Sequence, residues 1–101
     1  MYRLIEINNK GEMRMKSNQT IVLYMNDGVE CGRTKNVVEA YKLLQECKRS
    51  DKDYWNDYEC KGKMPKNDYY FELEEETEDT VYCMSIKIYR RGNKVYMKGV
   101  E

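Results

Sequence analysis

The stretch that most constrains the fold is Arg91-Gly92-Asn93-Lys94, a two-residue loop with glycine first, flanked by alternating strand residues. That pattern predicts a type II′ hairpin, because its twist matches that of the flanking strands and glycine takes the positive φ without strain. The register follows: Arg91 faces Lys94, Tyr89 faces Tyr96 and Lys87 faces Lys98. Side chains alternate with period two, so these six residues share one face. Ile86, Ile88, Val95 and Met97 take the other, which must be the core side.

The strand before it reads the same way over residues 69–75. A four-residue loop at Glu76-Thr77-Glu78-Asp79 sets Leu73 opposite Tyr82, Phe71 opposite Met84 and Tyr69 opposite Ile86, all on the apolar face. The outer face then holds Tyr70, Glu72 and Glu74, followed by Val81, Cys83, Ser85, Lys87, Tyr89 and Arg91. One end is acidic; the other is basic with tyrosines between the cations.

Upstream, residues 2–7 and 12–16 read as short strands. Thr20–Met25 and the residues after Asn26-Asp27-Gly28 form a further hairpin, with Met25 opposite Val29 and Leu23 opposite Cys31. Its core face would be Ile21, Leu23, Met25, Val29 and Cys31. Asn36 with Glu39 has the spacing of a capping box. Val37, Ala40, Tyr41, Leu44 and Cys47 recur at helical spacing, so the main helix spans about 36–49, with Lys48 and Arg49 complementing its C-terminal dipole. Ser50 with Asp53 reads as a second cap, opening a short helix over about 51–60 in which Tyr54, Trp55 and Tyr58 share a side. Trp55 is either a core plug or an exposed aromatic anchor. The expected architecture is α+β: one domain over 1–101, an antiparallel sheet of about 6–7 strands in hairpins and a meander, one main helix and one short one.

Chemistry is narrowed by what is missing. The chain has 101 residues and no histidine, so acid–base work would need a strongly shifted carboxylate, lysine, tyrosine or cysteine. Cys31, Cys47, Cys60 and Cys83 form no CxxC pair, and the glycines match neither a phosphate loop nor a dinucleotide fingerprint. Asp51-Lys52-Asp53 opens like a calcium loop but fails at the later ligand positions. The expectation is a protein that is not an enzyme and has neither cofactor nor metal. No apolar run approaches a membrane span and the first residues do not read as a signal peptide, so the expected place is the cytoplasm. Eighteen cations balance 18 anions, so electrostatic function must come from local segregation. Ten tyrosines against one phenylalanine and one tryptophan suit an interface, and equally a codon-biased genome.

Two binding surfaces follow. Glu72, Glu74, Glu75, Glu76, Glu78 and Asp79 form an acidic turn that suits a basic protein partner. Lys87, Tyr89, Arg91, Lys94, Tyr96 and Lys98 form a basic aromatic face that suits a protein partner or nucleic acid; an ordinary solvated strand face would carry the same residues.

Two resemblances bear on this. Gly32-Arg33-Thr34-Lys35 through Val38-Glu39-Ala40-Tyr41, after strands, resembles the hairpin-to-helix join of plant ethylene-response-type DNA-binding domains. The arginine- and tryptophan-rich reading strands of that family are missing, so its DNA contacts do not carry over. In style the chain resembles small phage-encoded inhibitors of the anti-CRISPR kind. That resemblance implies a non-enzymatic inhibitor whose acidic residues, Glu72 to Asp79, occupy a nucleic-acid site on a host defence protein such as a CRISPR nuclease. The alternative is a small nucleic-acid-binding domain using the C-terminal hairpin.

Overall fold

The computed structural model describes residues 15–57 and 67–100. Five strands and one helix follow in the order β1 (Gln19–Met25), β2 (Val29–Thr34), α1 (Val37–Asp57), β3 (Tyr69–Glu76), β4 (Val81–Arg91) and β5 (Lys94–Gly99). The strands form one antiparallel sheet in the order β2-β1-β3-β4-β5, so β1 pairing with β3 fuses the early hairpin to the C-terminal meander. The α+β class is as expected. The strands expected at 2–7 and, for the most part, at 12–16 lie outside the described residues; Met15 and Lys16 are not in a strand.

The β4–β5 hairpin has the expected register throughout, from Arg91 opposite Lys94 to Lys87 opposite Lys98. Gly92 has φ 63° while Asn93 stays at negative φ, as a II′ turn requires. The β3–β4 pairing instead slides by two residues: Phe71 faces Ile86, Leu73 faces Met84 and Glu75 faces Tyr82. The loop is Thr77–Thr80, closed by the Thr77 N–H on the Thr80 carbonyl at 2.8 Å and by the Thr80 N–H on Thr77 Oγ1 at 3.2 Å. Asn18 holds Glu76 in the strand through its carbonyl, 2.9 Å from the Glu76 N–H, and its side-chain amide, 2.8 Å from the Glu76 carbonyl. A shift of two keeps every side chain on its face. Tyr82, however, now lies beyond the core and is 60% exposed.

The first hairpin also departs from simple pairing. Met25 faces Val29, but Leu23 faces Gly32, and Cys31 is the extra residue of a bulge. There α1 lies close on β2: a Cβ on Gly32 would lie 2.6 Å from Leu43 Cδ2, so the Leu43 side chain would have to shift to admit one. Val29, expected in the core, is exposed, because β2 is an edge strand and its pairing with Met25 lies at the turn.

Asn36 caps α1, its Oδ1 accepting from the N–H groups of Val38 (2.8 Å) and Glu39 (3.1 Å). The box closes differently from expectation: the Asn36 N–H donates to Thr34 Oγ1, and the Thr34 hydroxyl donates to Glu39. Among the described residues a single helix replaces the expected two, and residues 58–60 of the expected second helix lie outside them. No glycine or proline interrupts residues 48–53, and the inward stripe Ala40, Leu44, Cys47 continues by one-turn steps to Asp51 and Trp55. Lys48 and Arg49 are therefore mid-helix, and the last turn carries no basic residue. Trp55 is half-buried in that turn, between a plug and a fully exposed anchor.

The core lies between α1 and one sheet face: Ile21, Leu23, Val37, Ala40, Phe71, Leu73, Ile86, Ile88 and Met97. Asp51 ties the second half of α1 to the start of β3, accepting from the Tyr69 hydroxyl and, at 3.0 Å, from Asn67 Nδ2. Burial, then Asp51, hold the Tyr69 phenol far above its ordinary value of 10. Because the folded state holds this proton more tightly than the unfolded chain, the stabilisation is full below about pH 10 and lost as pH rises toward the folded value. Urea midpoints measured between about pH 8 and pH 11 should fall steeply on the alkaline side, and Tyr69→Phe should flatten that fall while lowering the midpoint at neutral pH. An identical alkaline limb in the variant would refute this assignment.

Candidate interaction surface

The sheet face opposite α1 is where the expected site residues converge. Register places Glu30 and Arg33 of β2, Val22 and Tyr24 of β1, and Tyr70, Glu72 and Glu74 of β3 on it. Cys83, Ser85, Lys87, Tyr89 and Arg91 of β4 follow, then Lys94, Tyr96 and Lys98 of β5. The segregation is steep: residues 72–79 hold six carboxylates and no cation, whereas residues 87–98 hold five cations and no carboxylate.

At the acidic end, the expected cluster divides. The Arg33 guanidinium pairs with Glu30 (Nη2–Oε1 2.8 Å) and reaches from β2 across β1 to Glu74 (Nη1–Oε2 2.9 Å). Val22, which pairs with Arg33 on one side and Glu72 on the other, is fully buried between them. Glu75 points to the opposite face, where Gln19 Nε2 donates to it at 3.2 Å and Lys16 lies 3.9 Å away. Glu72 is half-buried; Glu76, Glu78 and Asp79 are exposed. The negative field nevertheless persists. The Tyr24 phenol is raised by burial and then by Glu72, Glu74 and Glu30, with Arg33 only partly opposing them. The Cys83 thiol is raised by burial, Glu72 and Glu74, which disfavours a nucleophilic thiolate.

The basic end is one continuous structure. The last β3–β4 pair is Phe71–Ile86, yet β4 and β5 stay paired as far as Arg91–Lys94, so Lys87–Arg91 and Lys94–Lys98 run on as a two-stranded ribbon. Tyr89 and Tyr96 stack across it with centroids 5.6 Å apart and planes 24° apart. Lys98 Nζ sits 5.7 Å from the Tyr89 centroid, a cation–π contact. A second pair, Tyr24 and Tyr70, stacks at 5.4 Å. Continuing the β3–β4 register by one residue sets Tyr70 beside Lys87, so one row crosses the sheet: Glu30, Tyr24, Tyr70, Lys87, Lys98.

Sequence reasoning missed Glu30, Arg33, Tyr24 and the thiol pair Cys31–Cys47. Counting by twos from Val29 puts Arg33 on the core side; the bulge at Cys31 reverses that, and Gly32 was its only trace. Cys47 is a mid-helix thiol rather than one at a helix end. Burial, then neighbouring Cys31 and Asp51, raise it, consistent with a packing role. Among the described residues no group of three or more acidic or thiol ligands is placed to hold a metal ion, and no helix is long and apolar enough to cross a membrane.

No protein-family model, curated protein or solved structure matches this chain.

Proposed function

We propose that this protein is a non-enzymatic binding domain that works through its outer sheet face, with the β4–β5 ribbon as the principal contact and single-stranded nucleic acid as its ligand. The observation that carries this reading is the ribbon itself: Lys87, Arg91, Lys94 and Lys98 share one face with the stacked pair Tyr89–Tyr96. Two strands spaced about 5 Å apart set their cations along a line that a phosphate backbone can follow. Tyr89 is already engaged by Tyr96 and Lys98, so the contacts are mainly to phosphate and tolerant of sequence.

A second reading is favoured by the exposed loop carboxylates Glu76, Glu78 and Asp79 and by the field that raises Tyr24. In it the protein is an inhibitor, of the phage-encoded anti-CRISPR style, whose acidic end occupies the basic channel of a nucleic-acid-handling host protein. Charge reversal separates the two. Arg91→Glu with Lys98→Glu should abolish binding to a mixed-sequence oligonucleotide, while Glu76→Gln, Glu78→Gln and Asp79→Asn together leave it intact or strengthen it. Wild-type protein that binds no oligonucleotide at low salt, but captures a basic nuclease through the loop carboxylates, would replace the first reading with the second.

A further inference from the structure

The outer face is not simply charged; it is bipolar, and a bipolar face has a distinctive symmetry property. When two copies meet face to face about a two-fold axis lying in the interface and crossing the charge gradient, the negative end of each meets the positive end of the other. Such isologous pairing is automatically charge-complementary. Here the gradient runs from Glu72, Glu74 and Glu76 on β3 to Lys87 on β4 and Lys98 on β5. Arg33 pairs with Glu30 and Glu74, while Glu76 at the same end is exposed.

We infer that the outer face pairs with the outer face of a second copy, forming a weak, salt-sensitive dimer. Five strands about 4.8 Å apart and about six residues long present about 500 Å² per copy, or about 1,000 Å² in total. That is the lower limit for a specific interface, the size class of weak and transient contacts. The centre of the face suits contact between sheets: the Tyr24–Tyr70 pair, with Tyr70 39% exposed, and the small residues Cys83 and Ser85 lie between the charged ends. The inference meets the proposed function at one point: the lysines that would contact nucleic acid are the ones the second copy covers. Dimerisation and nucleic-acid binding therefore exclude one another.

Sedimentation equilibrium of nuclease-treated full-length protein tests this without any oligonucleotide present. At about 0.01 M salt, where the Debye length is ~30 Å, the mass should rise with concentration toward that of a dimer; at about 1 M, where it is ~3 Å, it should return to the monomer. Two charge-reversed proteins complete the test. Lys87→Glu with Lys98→Glu cancels the charge of the basic end, where Arg91 and Lys94 remain, and Glu72→Lys with Glu76→Lys turns the β3 end net positive, with Glu74 remaining. Each alone should lose association at least about tenfold. Mixed one to one, they should associate more tightly than either variant does alone, which also shows that both variants fold. Wild-type protein that stays monomeric at low salt, or variants that self-associate as well as wild type, would overturn the inference. A dimer that binds no oligonucleotide refutes only the nucleic-acid reading, and a monomer that binds one refutes only the dimer.

Discussion

Truncating Phe71 to alanine should cost about 3–5 kcal/mol, the usual range for removing a buried ring when its surroundings collapse only partly. Phe71 is 5% exposed and lies opposite Leu23 on β1 and Ile86 on β4, so it spans the junction of the two hairpin groups. A domain of this length has about 5–10 kcal/mol of net stability, so the loss should remove at least about a third of it. The comparison that makes the result informative is Tyr82→Ala. Tyr82 is aromatic, on the same strand meander and on the same side of the sheet, yet it lies opposite Glu75 beyond the core. Its truncation should change stability by only about 0.5 kcal/mol. Urea unfolding at neutral pH, with both variants showing unchanged slopes, measures each difference. Comparable losses in the two variants would mean that Tyr82 is buried and that the β3–β4 register is wrong.

The contrast between these two aromatics marks where a sequence of this kind stops being legible. Gly92 settled the β4–β5 register because a two-residue loop leaves almost no freedom, and every pair from Arg91–Lys94 to Lys87–Lys98 follows from it. The Thr77–Thr80 loop did not settle the next register, because a four-residue loop closes equally well one residue further along the chain, which moves every pairing by two. What chose between them was Asn18, 58 residues before Glu76 in the chain, bonding both sides of the Glu76 peptide. Face assignment survived because a shift of two preserves it, whereas the extent of burial did not. The helix shows the same division. Its cap at Asn36 was local and legible, but its end was not: Ser50 and Asp53 looked like a restart, while Asp51 was in fact an inward-facing residue with Tyr69 as a distant partner. Arg33 was hidden for a third reason. Its face depends on the bulge at Cys31, which no period-two count contains.

The salt dependence of oligonucleotide binding should then distinguish a ribbon contact from nonspecific attraction to scattered lysines. Four cations share the outer face of the ribbon, Lys87, Arg91, Lys94 and Lys98. Each phosphate contact with a single strand contributes about 0.7 to the slope of log affinity against log salt, so the slope should reach about −3 at most. Raising salt from about 50 to 200 mM should therefore weaken binding about fiftyfold. Lys98→Ala should do more than remove one contact. Its ammonium lies over Tyr89, so the substitution also frees that ring, and the slope should become shallower by about 0.7 while base stacking on Tyr89 partly restores affinity at high salt. Arg90 serves as the internal control: it lies on the same ribbon but on the opposite face, with its Nε donating to the Gly92 carbonyl at 2.9 Å. Arg90→Ala should leave the slope unchanged. A slope that drops equally for Arg90 and Lys98 would mean that the ligand responds to the total charge of the ribbon and not to one face. The ordered pairs Tyr89–Tyr96 and Lys98–Tyr89 would then serve the stability of the hairpin, as cross-strand pairs ordinarily do.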